Sequence, residues 1–286
     1  MQVTLNKIHT CYANSLMPNQ VTKPLSNLIS MHKSSDSFGL TDAMRAKIRE
    51  VTTFAKSNIM LLQITDTGLQ KADACLQRMQ ELTVKALDNT LTEADRSVIQ
   101  REINLIRADM ERNALETENK IREKLGLPQA KGHWEPIGST DVGAVAADYQ
   151  RDGFDTGRFI HDEDSDAQFI DYITDMKLKA RQNHSKLQEE SADTLDKIWN
   201  ALTAMRPKNL GVDKLDVTTV EKAQASLEKI IKARETVSKA KEMINGEIKK
   251  WSRIMEGAYF GEDYSWLLKD NQRSSYIWDL VLDVTA

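Results

Sequence analysis

Cysteine is nearly absent from this chain. Cys11 and Cys75 are its two thiols, separated by about sixty positions and without a close-spaced partner, so neither a disulfide framework nor a Cys-based zinc site can be assembled from them. Cys75 adjoins the apolar position Leu76, which predicts a buried or half-buried small side chain. Aromatic residues make up only 6% of the chain, with 12 Gly and 5 Pro in 286 residues. So few ring side chains, turn formers and breakers argue against a sheet protein. Basic residues are not in excess either: 39 Lys and Arg stand against 43 Asp and Glu, a formal charge of −4. Without a basic excess, a phosphate backbone or an anionic lipid surface has little to hold, and neither nucleic acid nor membrane is expected as a partner. No run approaches the roughly 18 apolar residues of a membrane span, and residues 1 to 35 lack the basic-then-apolar order of a cleaved secretory signal. Composition alone therefore reads as cytoplasmic, unless export uses a route without cleavage.

What the chain has in quantity is charge, 29% of its residues, spread along long apolar stripes. Leu69, Ala72, Leu76, Met79, Thr83 and Ala86 step by three and four, the spacing of one helical seam. Upstream the seam runs through Ile48, Val51, Ala55, Asn58, Leu62 and Thr65, predicting a single helix capped at Thr41 and about 70 Å long at 1.5 Å per residue. Asn58, Thr65 and Thr83 are polar in that seam and read as register devices. Asp88 to Leu91 breaks the pattern, and Thr92 with Asp95 three residues on reads as a capped helix start. Ile99, Ile103, Ile106 and Met110 then continue on a returning helix that Gly126-Leu127-Pro128 stops. Residues 129 to 167 read as loop with a short strand at Gly143 to Ala147. Phe169, Ile173, Met176, Leu187, Leu195, Ile198, Leu202 and Met205 form one amphipathic helix or a broken pair, ending at Pro207. After a turn at Asn209-Leu210-Gly211, Thr218 or Thr219 opens a third long helix through Val220, Ala223, Leu227, Ile230, Val237, Ile244 and Ile248.

The fold class that follows is all-α, an elongated antiparallel bundle or coiled coil of long helices with a loop-plus-helix insertion. Four parts are expected: a weakly ordered arm over 1–40, a helical core over 41–125 and 208–250, an insertion over 126–207, and an aromatic carboxy-terminal segment over 251–286. Core packing is assigned to Ile48, Leu62, Leu69, Leu76, Met79, Ile99, Ile103, Ile106, Val220, Leu227 and Ile230.

Chemistry is harder to find. Asp162, Asp164 and Asp166 alternate as in a calcium loop, but Ala167 stands where the sharp turn needs Gly, and Ile173 where a bidentate Glu is needed. A solvated acidic helix entry is the better reading. His9, His32, His133 and His184 make no pair at metal or triad spacing, and no phosphate loop or nucleophile elbow is present. No enzyme, cofactor or metal is expected.

The stretch Ile64-Thr65-Asp66-Thr67-Gly68-Leu69 through Leu76 to Ala86, continuing through Asp95 to Ile103 and on to Glu118, resembles the amino-terminal core of bacterial flagellin. Asp36 to Leu40 and Met44 to Arg49 resemble the segment before it, and Leu210 to Thr219 with Ala223 to Leu227 resembles the start of the carboxy-terminal core helix. The resemblance covers about residues 36 to 125 and 208 to 250, in the right order. It implies a self-assembling structural subunit of the extracellular flagellar filament, serving motility and exported unfolded through the type III channel. The implied partners are other copies of itself, other axial proteins of the flagellum and an export chaperone. It also implies recognition by an animal Toll-like receptor, at positions matching Gln77, Arg78, Leu82 and Glu102, with Gln80 standing where an Arg is common. Contacts between protofilaments are the other reading of that surface. Trp251 to Ala286 does not resemble the family's inner carboxy-terminal helix, which is poor in aromatics. A non-polymerising secreted binding or capping protein and a hook-filament junction protein are therefore carried as alternatives.

Overall fold

A computed structural model describes residues 42–135 and 158–260. The fold is all-α apart from one short ladder: α1 spans Asp42–Ala86, α2 Glu93–Leu125, β1 Gly132–Glu135, β2 Arg158–His161, α3 Glu163–Gln182, α4 Lys186–Thr203 and α5 Val220–Phe260. Thr41, the expected cap of α1, and the strand expected at Gly143 to Ala147 lie outside the described residues. So do the arm, Cys11 and the chain beyond Phe260.

The seam of α1 is continuous. Val51, Ala55, Asn58, Leu62, Thr65, Leu69, Ala72, Leu76, Met79, Thr83 and Ala86 are all no more than 2% exposed, an unbroken three-four alternation. At 45 residues the helix is about 68 Å long, so its stripe is covered by several partners in succession. Near its carboxy-terminal end the partners are α2 and α5; farther back α4 takes a place beside it.

The turn between α1 and α2 is held by one side chain. Arg96 donates to the carbonyls of Ala86 (3.1 Å), Leu91 (2.9 Å) and Asp88 (2.8 Å), so its guanidinium closes the end of α1 and the loop together. Thr92 and Asp95 form the anticipated reciprocal capping box, with Thr92 Oγ1 accepting from the Asp95 amide and the Asp95 carboxylate accepting from the Thr92 amide at 3.0 Å. α2 ends as its sequence indicated: Gly126 adopts φ 70° and the Leu127 amide donates to the Arg122 carbonyl at 2.8 Å.

α5 runs antiparallel to α1. Arg234 reaches Gln80 at 2.8 Å and Asp73 at 3.4 Å, and Lys241, two turns later in α5, also reaches Asp73 at 3.3 Å. Its inward row is Ala223, Ser226, Ile230, Ala233, Val237, Ala240, Ile244, Glu247, Trp251 and Ile254. Ala and Ser alternate with larger side chains in the early part of this row, while the facing seam of α1 carries Leu and Met. Val220, Leu227 and Ile248 are half-buried flanks beside the row. α5 also continues through Trp251 to Phe260, past the composition change at 250.

The apolar residues after 167 form a pair of helices, not one. His184 takes φ 51° between them, and the Ser185 hydroxyl accepts from the Gln188 amide to restart the chain as α4. α3 and α4 pack together, and α4 lies against α5. Lys177 of α3 is ion-paired with Asp193 and Asp196 of α4. Before them, β1 and β2 pair antiparallel with Gly132 opposite His161 and Glu135 opposite Arg158. Four residues a side without alternation give no periodic signal, which is why loop was the expectation there.

Gly68 leaves no room for a side chain. A Cβ there would lie 2.6 Å from Thr117 Oγ1, 2.7 Å from Thr117 Cγ2 and 2.9 Å from Met205 Sδ, and the Gly68 carbonyl accepts from Asn113 Nδ2 at 3.1 Å. Gly246, inside α5, meets nothing within 4 Å. Gly68→Ala is expected to lose about 1–3 kcal/mol through overpacking, while Gly246→Ala gains about 0.5–1 kcal/mol from helix propensity alone. Urea denaturation of the two variants checks both signs.

Candidate functional site

Two arrangements stand out, one on the surface of the α1–α2 hairpin and one buried where the insertion joins the core. On the surface, Arg78 Nη2 donates to Glu102 Oε1 at 2.6 Å across the hairpin, and Nη1 donates to Glu81 Oε2 at 3.2 Å along α1. Gln77 Nε2 reaches the other Glu81 oxygen at 3.4 Å. Burial alone would lower the Arg78 pKa, but the hydrogen bond and charge of Glu102, then those of Glu81, outweigh it and raise it. The guanidinium is 44% exposed and remains a charged, planar donor aimed along the surface.

Of the residues assigned to this surface, Gln77, Arg78 and Glu102 come together, joined by Glu81. Leu82 does not join them. It is 4% exposed and packs into the bundle, one position before the seam residue Thr83. Gln80 turns the other way and accepts from Arg234. Among the residues assigned to packing, Leu62, Leu69, Leu76, Met79, Ile99, Ile103 and Ile230 are buried, whereas Ile48, Ile106, Val220 and Leu227 are half-buried. Arg107 and Ser226, each 3% exposed, hold the inward positions beside Ile106 and Leu227.

The buried arrangement was not visible in the sequence. Arg122, 0% exposed, donates through Nε to Glu118 Oε1 at 2.7 Å, through Nη2 to the Ser165 carbonyl at 2.5 Å and through Nη1 to the Pro128 carbonyl at 3.3 Å. The second Glu118 oxygen accepts from Arg206 Nη2 at 2.8 Å, and Arg206 grips Asp166 with both terminal nitrogens at 2.7 and 3.0 Å. The two guanidiniums lie over a stacked pair of rings. Arg122 is 5.5 Å from the Phe169 centroid, Arg206 is 5.2 Å from that of Trp199, and the rings are 4.9 Å apart. For Arg206, burial opposes ionisation, but the Asp166 hydrogen bond and the Glu118 and Asp166 charges prevail and raise its pKa. One cluster thus joins α2, the start of α3, the end of α4 and the loop at Pro128.

The acidic run at 162–166 has found its roles there. Asp162 caps α3, accepting from the Asp164 amide at 3.2 Å, and Asp166 serves Arg206. Among the described residues no group of three or more His, Cys, Asp or Glu is placed to hold a metal ion.

Further polar ties fasten the insertion. Asn58 Nδ2 donates to Ser191 Oγ at 2.9 Å, joining α1 to α4 within the seam. Trp251 Nε1 donates to Thr194 Oγ1 at 2.8 Å, while Glu247 is ion-paired with Lys197, joining α4 to α5. Thr65 and Thr83 behave differently from Asn58: each hydroxyl donates to its own helix, to Leu61 O at 2.9 Å and Met79 O at 2.7 Å, so they fill volume and cross to no neighbour. Gln100 clamps the segment entering α5, donating to the Leu215 carbonyl at 2.9 Å and accepting from the Val217 amide at 2.7 Å.

A groove of about 240 Å³ opens between α1, the end of α2, α3 and α4. Phe54, Ser57, Leu61, Leu125, Tyr172 and Met176 are among its walls, and among the described residues no charged side chain lines it. Burial raises the Tyr172 phenol above its ordinary range. Such a lining can take apolar or aromatic groups.

The chain is similar to "Flagellin" of Clostridium tyrobutyricum, 28% identical over 137 residues, which are 44% of this chain and 36% of that protein. It is similar also to two proteins of Treponema pallidum (strain Nichols), Flagellin FlaB2, 29% identical over 108 residues, and Flagellin FlaB1, 30% over 104. Those matches cover 36% and 33% of this chain. The core regions of this chain are flagellin-like. The matched stretch spans 36 to 38% of the length of these curated relatives. No family model matches, and no solved structure matches. In the flagellin-like core, Gly68 packs against Thr117 and Met205, and the Arg78–Glu102 pair is exposed on the hairpin.

Removing Arg122 leaves Glu118 buried with one partner fewer and two carbonyls without a donor. Arg122→Met is expected to cost about 3–5 kcal/mol. The loss should hold in high salt, because a desolvated pair is poorly screened; urea titrations at two ionic strengths check it.

Proposed function

We propose that this chain is a structural subunit of the bacterial flagellar filament and not an enzyme. In this reading it is secreted through the flagellar type III route and self-assembles through α1, α2 and α5 for motility. The observation that carries it is the coincidence of the flagellin likeness with a seam that runs buried from Val51 to Ala86 without interruption. A stripe about 50 Å long over those residues suits side-by-side assembly of rods. The partners in this reading are further copies of the chain, other axial proteins of the flagellum and an export chaperone.

The carboxy-terminal composition supports a second reading. Trp266, Tyr264, Tyr276 and Trp278 make residues 261–286 unlike an aromatic-poor inner helix, which favours a non-polymerising secreted binding or capping protein, or a junction protein between hook and filament. Sedimentation and negative-stain microscopy of the purified full chain separate the readings. Long filaments are expected; a stable monomer at high concentration would favour the second.

Gln77, Arg78 and Glu102 are proposed as a receptor or protofilament contact surface, with Arg78 the anchor because a planar, half-exposed guanidinium binds well at an interface. Leu82 would act there only through the packing beneath. Arg78→Ala should lower activation of a Toll-like receptor in a reporter cell assay by about tenfold, one lost anchor contact of about 1.4 kcal/mol. Unchanged activation together with altered filament stability would assign the surface to protofilament contacts.

A further inference from the structure

We propose that the outer face of α3 is a docking surface for a second copy of this chain, the two α3 helices lying antiparallel about a two-fold axis at the level of Met176. The proposal does not rest on the filament reading and uses no residue of the α1 seam.

At 3.6 residues per turn, Ala167, Asp171, Thr174, Leu178 and Arg181 fall within an arc of about 80°, with Ile170 at its edge. All six are exposed. The arc lies opposite the side of α3 that carries Ser165, Phe169, Ile173 and Ala180, which are buried in the bundle. Ile170 is 47% and Leu178 54% exposed, and among the described residues no other helix shows two large exposed apolar side chains within three turns of each other. Single exposed apolar residues are ordinary, but two lined up on one face, with Thr174 between them and Ala167 before them, call for a partner. Tyr172 and Met176 line the groove on another side of α3, so the two surfaces are independent.

Charge selects the partner. The acids of α3 come first, Asp164, Asp171 and Asp175, and its bases last, Lys177, Lys179 and Arg181. Most are already used: Lys177 on Asp193 and Asp196, and Lys179 on Asp175 at 2.6 Å. Among the described residues neither Asp171 nor Arg181 has a salt bridge, and they stand about 15 Å apart along the axis, on either side of Thr174 and Leu178. A second α3 reversed about Met176 sets Asp171 against Arg181 of the partner subunit and Thr174 against Leu178 of the partner subunit, and the reverse. Two ion pairs then close the ends of a small apolar centre. A parallel pair would put like charge on like, and a partner of one sign would meet either Asp171 or Arg181 badly, so the face is complementary to itself turned around. With so few residues a side, the contact is at the small end of interface sizes and makes a weak, reversible dimer.

Sedimentation velocity of the purified full chain, with any polymer pelleted first, reads the dimer directly. It is expected to be half formed at or below about 0.1 mM, the weak end of the affinity scale. Arg181→Asp and Asp171→Arg should each weaken it at least about tenfold, and the variant carrying both should return to within about threefold of the natural chain, because the exchange restores opposite charges across the axis. Leu178→Ser, which changes no charge, should also weaken it about tenfold. Helicity by circular dichroism should be the same in all of them. A natural chain that stays monomeric at about 0.1 mM overturns the proposal. So does a dimer that tolerates Leu178→Ser or either charge reversal, or that the double exchange fails to restore, since such a dimer is made by another face.

Discussion

A helix of 45 residues cannot bury its own stripe, and everything else in the molecule follows from supplying that stripe with neighbours. Isolated long helices gain little from propensity and depend on packing of an apolar face. The seam of α1 from Val51 to Ala86 is therefore covered by other helices in shifts. α2 and α5 cover the stretch from Leu69 to Ala86, and α4 joins α5 beside Asn58. Because apolar stripes slide on one another at small cost, register needs directional groups. Arg96 on the turn carbonyls, Asn113 on the Gly68 carbonyl, Arg234 on Gln80 and Asn58 on Ser191 each pin one pair of elements at one offset.

The buried cluster of Glu118, Arg122, Arg206 and Asp166 performs the same task for the insertion. Buried ion pairs of this kind are costly to desolvate and add little net stability over an apolar replacement. Their contribution is selectivity: a shifted α3 would leave Glu118 or the Arg206 guanidinium unpaired in a dry site, an error worth several kcal/mol. The stacked Phe169–Trp199 pair beneath the guanidiniums excludes water and keeps that error expensive. α3, α4 and the residues just after α4 are therefore a working part of the bundle, bonded to α1, α2 and α5 through Ser191, Arg206 and Thr194.

How much of this could be read from residues alone depends on whether a feature is periodic. The seam of α1 was legible to its last residue because each position repeats the same demand, and the capping box at Thr92 and the stop at Gly126 are local patterns of a few residues. In α5 the expected seam is buried at Ala223, Ile230, Val237 and Ile244, while Val220, Leu227 and Ile248 are half-buried. Leu227 and Ile248 are the larger side chains, yet Ser226 and Glu247 are the more buried, because Ser226 bonds to the Asp216 backbone and Glu247 has Lys197 and Thr194 to meet. Hydrophobicity ranks side chains by what they would like to bury; close packing selects what fits. The buried cluster was illegible for a different reason. Glu118 and Arg122 at four-residue spacing look like any solvated helix pair, and only the arrival of Ser165 and Arg206, some 40 and 90 positions away, removes them from water.

The same distinction explains why the surface at Arg78 and the groove at Tyr172 ask for different kinds of partner. Arg78 is already committed to Glu102 and Glu81, so a partner must compete for, or share, a charge that is satisfied; such a surface yields specificity and salt sensitivity more than affinity. Among the described residues the groove has no charge to trade, so an occupant would gain mainly by leaving water.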